Sequence, residues 1–233
     1  MGKYWCDNSP VWTHYGNASS VLFPPWERAF AAVVQEHLPD VKDEELKLRM
    51  VQFMNEELAH ARAHGHFNER NGIKDLEEAQ YKLTKMVLRK PKLSFWLGTM
   101  VSIEHLAACM SRSVLTRWGK RDGRDYKLFC WHAIEELGHK SLAIDVWHHL
   151  GYSDKELRKI AVSNQKYVMG FLIKHTLKKV YKEGHLKNWR TWVDLLSWSV
   201  FVTTKVLVPM LTIYLPNFHP DNTNDDKYLQ VAV

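Results

Sequence analysis

Met50-Val-Gln-Phe53-Met-Asn-Glu-Glu57-Leu-Ala-His60-Ala-Arg-Ala-His64-Gly-His-Phe67 is an apolar helix seam with polar residues at its centre. Met50, Phe53, Glu57, His60, His64 and Phe67 follow one another in steps of three and four, the spacing that lays side chains along one stripe of a helix. Glu57 and His60 stand three apart, so a carboxylate and an imidazole address the same point. Burying such groups is costly without a cation or a partner. The stripe therefore predicts a bundle helix that carries a metal layer in its middle turns.

A second stretch repeats the pattern. Phe129, His132, Glu136, His139, Ala143 and Val146 trace the same kind of seam, again with a Glu-x-x-His pair at its centre. Two such pairs, with one glutamate from each of two further helices, form the ligand set of a di-iron or di-manganese four-helix bundle. Glu104 supplies the first of these, as the one carboxylate in the otherwise almost uncharged run from Phe95 to Cys109. Glu27 supplies the second, aligned with Phe30 and Val34, with Glu36 as its competitor. The candidate metal ligands are thus Glu27, Glu57, His60, Glu104, Glu136 and His139. His64 is placed with them, and a hydrogen-bonding role behind the ligands is its alternative. His132 and Glu135 are the candidate catalytic groups, and either could instead support or join the ligands.

The rest of the chain reads as helices. After a loop-like lead over residues 1–24, helices are predicted at about 26–37, 43–71, 75–88, 93–115, 124–150, 153–181 and 189–214. They are punctuated by Pro39, Asn71-Gly72, Pro91, Gly119 to Gly123, Gly151 and Gly184, with a kink near Pro209. Strand alternation bounded by hairpin turns is missing. The fold class is all-α, a four-helix bundle with additional C-terminal helices. One metal-binding domain spans 25–216, and a polar tail or strap spans 217–233.

Composition narrows the function. The chain has 233 residues, a net charge of +6, ten Trp and thirteen His. Its basic excess is densest from Lys166 to Arg190 and lacks a nucleic-acid-binding motif, so no nucleic-acid partner is expected. Three cysteines with no C-x-x-C, and no signal-peptide pattern at the start, lead to a cytoplasmic expectation. Ser197 to Leu215 is nearly continuous apolar sequence. It reads as a core or subunit-contact helix with membrane-surface contact as a further expectation, and it points to a homodimer.

The stretches Phe23-Pro-Pro-Trp-Glu27, Glu56-Glu57-Leu-Ala-His60-Ala-Arg-Ala-His64, Glu104-His, Trp131-His-Ala-Ile-Glu135-Glu136-Leu-Gly-His139-Lys140 and Phe218-His-Pro220 resemble a bacterial family. It is the ferritin-like family labelled predicted metal-dependent hydrolase. The resemblance covers roughly residues 20–220. It implies a ferritin-like fold and a functional set of Glu27, Glu57, His60, His64, Glu104, His132, Glu135, Glu136 and His139. Trp26 stands where glycine is expected, and Gly138 where an acidic residue is usual.

Mixed Glu/His sites with open positions suit iron or manganese. The first expectation is therefore two Fe ions, with Mn or mixed Mn/Fe as variants. They would serve an O2-activating oxidase or oxygenase acting on a small apolar or amphipathic substrate. Phe53, Phe67, Trp96, Met100, Phe129 and Trp131 are the candidates for an apolar chamber. The alternative is a binuclear hydrolase of an ester, amide or phosphoester, with Zn among the suitable metals. A third reading is an iron-binding or structural bundle without catalysis.

Overall fold

The computed structural model describes residues 4–88 and 92–230. The predicted stop at Pro91 lies outside the described residues, as do the first three residues and the last three. Helices carry the fold, with no strand among the described residues.

The lead is not a loop. Pro10–Ser20 forms α1, with Pro10 in its first turn and the Ser9 hydroxyl accepting from the Trp12 amide at 3.4 Å. Proline read as a breaker is here a starter, because the first turn needs no amide donor. Most of α1 is buried, and it packs against α8 (Asp154–Lys182) and α9 (Trp189–Val202). Gly16 permits the Trp5 indole to lie against α1, since a Cβ there would fall 2.6 Å from the ring.

α2 (Phe23–His37) begins three residues earlier than Trp26 because Pro24 and Pro25 both fit its first turn. α3 (Glu44–Arg70) is capped by Asp43, whose Oδ1 accepts from the amides of Glu45 (2.9 Å) and Leu46 (3.0 Å). α4 (Lys74–Leu88) and α5 (Leu93–Trp118) follow. The single helix expected from 124 to 150 is two, α6 (Arg124–His139) and α7 (Leu142–His149). The interruption comes just after Gly138, a poor helix former. It turns the buried Lys140 toward Asp225, so Ala143 and Val146 belong to a separate helix from His139.

α9 runs on through a wide π turn, Thr203–Leu207, into α10 (Val208–Met210) and a tighter turn at Leu211–Tyr214. Pro209 has no amide to offer the Lys205 carbonyl one turn earlier, and the Ser113 hydroxyl donates to that carbonyl at 3.0 Å instead. Trp198, Val202, Val206 and Met210 face the core, whereas Trp189, Trp192, Leu196 and Val200 are exposed. The segment Trp189–Tyr214 is long and apolar enough to cross a membrane, yet one side of it packs on α1 and α5.

α2 pairs with α3 and α5 with α6, and α2–α5 and α3–α6 contacts close the bundle. One apolar cluster, including Phe30, Met50, Phe53, Leu97 and Met100, fills one end. Another, including Phe67, Leu106, Trp118 and Phe129, fills the other. The Glu/His layer lies between them.

The tail folds back as a strap ending in α11 (Asp226–Leu229). Asp225 accepts from Arg112 Nε (2.6 Å) and Nη2 (3.0 Å) and from Lys140 Nζ (2.6 Å). Burial works against its charge, but the two cations hold it below the usual carboxylate range. Asp225→Ala should cost about 3–5 kcal/mol, because it strands two cations that are themselves largely buried. That lowers the melting temperature by roughly 10 °C, whereas Asp226→Ala, at an exposed position, should change it little. Calorimetry on both variants checks this.

Candidate metal centre

Four helices each deliver a carboxylate to the buried layer: Glu27 from α2, Glu57 from α3, Glu104 from α5 and Glu136 from α6. Each is no more than 4% exposed. His60 from α3 and His139 from α6 join them, as the three-residue spacing requires. Two overlapping groups have ligand atoms within 4.8 Å of one another: Glu57, His60, Glu136 and His139, and Glu27, His60 and His132. Glu104 borders the first, with its Oε2 at 3.4 Å from His139 Nδ1. Glu36, the competitor of Glu27, is exposed.

The side chains fit a cation. Both oxygens of Glu27, Glu57 Oε1, His60 Nδ1, Glu104 Oε2, Glu136 Oε2 and both nitrogens of His139 are buried without a hydrogen-bond partner. Buried polar atoms are seldom left so. Here they converge, and the donor set of carboxylate oxygens and imidazole nitrogens is one that divalent transition metals accept.

Hydrogen bonds orient the imidazoles. His60 Nε2 lies 2.7 Å from Glu135 Oε2, and Glu135 Oε1 accepts from Trp131 Nε1 at 2.8 Å. Donation from Nε2 to that carboxylate leaves the His60 Nδ1 lone pair facing Glu57 and Glu136, at 3.6 and 3.7 Å. A longer chain fixes His132. Asn68 Nδ2 donates to Glu77 Oε2 (2.7 Å), which turns its Oδ1 to accept from Ser20 Oγ (2.6 Å). Ser20 must then accept from His64 Nδ1 (2.9 Å), so His64 Nε2 accepts from His132 Nδ1 (2.8 Å). The remaining His132 nitrogen, Nε2, faces Glu136 at 2.8 Å and Glu27 at 3.5 Å.

His64 is held in this network by both of its ring nitrogens, the alternative expected for it. It works through His132. His132 sits in the second ligand group. Glu135 touches His60, its side chain 30% exposed beside a groove lined by Arg49, Gln52, Glu56, Gly138 and His139. Ser20, Asn68 and Glu77 complete the hydrogen-bond chain to His64 and were not among the expected residues. Nothing in their local pattern marks them, since Ser20 lies in the unexpected α1 and the other two look like ordinary helix surface.

The electrostatics follow from burial. Glu27 and Glu57 are pushed well above the usual carboxylate range by burial and then by their carboxylate neighbours. Glu104 rises to about 7 for the same reasons. Burial also opposes the charge of Glu136, but His139 and His132 bring it down to about 2. His139 is drawn up to about 9 by Glu136 and Glu104 against its own burial, and burial pushes His60 down to about 3. Without a cation, protons hold the layer together.

The chain matches the model of a family described as "Predicted metal-dependent hydrolase" over residues 1–224. It belongs to that family. No curated protein and no solved structure matches it. Membership in a metal-dependent family agrees with the buried Glu/His layer. The family's description favours hydrolysis, the alternative chemistry, over the oxygen-activating expectation.

Two predictions follow from this geometry. Glu27, Glu57, Glu104 and His139 bind protons more tightly in the metal-free fold than in the unfolded chain, so their contribution is present at low pH and is lost as pH rises through the raised values. His60 and Glu136 act in the opposite sense, but only below about pH 6.5. From about pH 6.5 to 8.5, the metal-free protein should lose roughly 5 °C of melting temperature. The metal-loaded protein should lose less, and a metal-free value that rises across this window contradicts the assignment. Second, His64→Phe should weaken metal binding by about 10–100-fold without changing the stoichiometry. A lost equivalent in a calorimetric titration would instead make His64 a ligand.

Proposed function

We propose that the protein is a hydrolase of an ester or amide, with Glu27, Glu57, His60, Glu104, His132, Glu136 and His139 holding a binuclear centre. The observation that carries the metal is the set of converging, unpartnered ligand atoms, and the family description carries the reaction type. Mn, Fe and Zn all suit such mixed donors. A bound divalent cation supplies Lewis-acid polarisation of the scissile carbonyl and acidifies water.

Glu135 is the proton acceptor. It hydrogen-bonds His60 of the buried layer and lines the open groove, whereas His132 has one nitrogen given to His64 and the other turned to the carboxylates. Partial burial raises the Glu135 carboxyl from its ordinary value, which moves it toward the neutral range where a general base works best. The groove admits the water and receives the polar leaving group. The water oxygen bonds to the carbonyl carbon and the C–O or C–N bond breaks. Glu135 passes the water's proton to the departing oxygen or nitrogen.

Glu135→Gln keeps a polar contact to His60 and removes the base. It should lower kcat by about 100-fold or more while metal content and melting temperature stay near wild type. The assay uses short-chain esters with Mn-, Fe- and Zn-loaded protein in dioxygen-free buffer. Hydrolysis without dioxygen supports the reading. Turnover that needs dioxygen and consumes it would return the protein to the oxidase expectation.

A further inference from the structure

A second cavity, distinct from the Glu135 groove, borders the same centre, and its character is apolar. The cavity lies between α1, α5, α6 and α9, with walls that include Trp12, Tyr15, Met110, Val114, Phe129 and Phe201. His132 and Glu136 form one end of it and Arg117 the other. Arg117 sits over the Trp12 ring at 3.5 Å and is paired with Asp7 at 3.3 Å, with its Nε buried and unpartnered. The same Trp12 and Arg117 border an open basin that also touches Trp189 and Arg190. They are thus a partition between the surface and the cavity.

Of the aromatic residues expected to form a chamber, only Phe129 lines this one. Phe53 and Trp131 instead contact the imidazoles, Phe53 against His139 and Trp131 against His60. The missing walls come from α1, the helix that the sequence did not reveal.

We infer that the substrate carries an unbranched apolar chain, which occupies this cavity while the polar leaving group faces the Glu135 groove. This rests on the hydrolase reading and adds the substrate class. Three observations select the occupant. The cavity is continuous with the ligand residues His132 and Glu136, so whatever fills it abuts the reacting bond. Apart from Glu136 at one end and Arg117 at the other, its named walls carry no acid or lysine, which disfavours a charged or strongly hydrated group. Its open volume is small, about 40 Å³, which excludes a bulky ring system and leaves a chain that threads between the walls as they move. Met110, unbranched and adaptable, can swing to widen it. From Ala107 to Arg117, both lining residues, α5 rises about 15 Å at 1.5 Å per residue, which sets the reach of the chain. An ester or amide of a medium-length fatty acid meets these requirements. Its acyl carbon lies at the ligand layer and its hydrocarbon extends toward Arg117.

Val114 stands part-way along the cavity and outside the ligand layer, so Val114→Trp acts as a ruler. The first experiment titrates metal-free wild-type and Val114→Trp protein with acetate and octanoate by calorimetry, which requires no catalysis. Wild type should bind octanoate more tightly by several-fold per added pair of methylenes, against an ideal of roughly fourfold per buried methylene, and Val114→Trp should erase most of the difference. Val114→Ala guards against misfolding of the tryptophan variant and should retain the chain preference. The second experiment compares p-nitrophenyl acetate, butyrate, octanoate and decanoate as substrates of metal-loaded protein. Val114→Trp should lose the long esters and keep the short ones. If every ester is hydrolysed equally by both proteins, and octanoate binds no better than acetate, the chain inference is overturned and the hydrolase reading stands. If octanoate binds selectively but no ester is cleaved, the cavity assignment survives and the hydrolase reading falls.

Discussion

Four carboxylates and several imidazoles buried at one level of an apolar bundle cannot remain charged and unpaired. Everything else in the molecule is arranged around that constraint. The layer sits between two hydrophobic clusters that exclude water, which raises the cost of every unpartnered atom in it. Glu27, Glu57 and Glu104 answer by retaining protons, and Glu136 answers by pairing with imidazoles. A cation replaces both devices at once. The long α3 and α5 helices supply rigid walls, so ligand positions are set by helix packing and not by loops.

Hydrogen bonds add direction to this electrostatic frame. Glu135 fixes one nitrogen of His60, and the chain from Glu77 through Asn68, Ser20 and His64 fixes one nitrogen of His132. In both cases the free lone pair is left toward the carboxylates. The two sides of the centre then differ in kind. On the Glu135 side a groove opens that is bordered by Arg49, Gln52 and Glu56 together with Phe53 and Leu142. On the His132 side lies an apolar cavity walled partly by α1. The two sides are the arrangement that the proposed amphiphilic substrate requires.

The helical bundle and its buried Glu/His layer were legible in the sequence because helix periodicity is a local property. Glu57 with His60, and Glu136 with His139, announce themselves by spacing, and Glu104 by its isolation among apolar neighbours. The α1 helix was hidden because Pro10 and Pro24 fall in a lead read as a loop, although each occupies a first turn. The division of α6 from α7 was hidden as well, because a single glycine at Gly138 is a weak signal and the Lys140–Asp225 contact that goes with the break joins residues far apart in the chain. His64 looked like a ligand because it shares the seam with His60, and only the long-range contacts to Ser20 and His132 show that its nitrogens are engaged. Periodicity tells which face a residue is on. It does not tell what waits on the other side.

The most direct measurement is anomalous X-ray scattering from crystals of the metal-loaded protein, with data collected on either side of the metal's absorption edge. Anomalous density is expected within the Glu57, His60, Glu136 and His139 group and, beside it, within the group of Glu27, His60 and His132. Density confined to exposed carboxylates, with none in the buried layer, would contradict it.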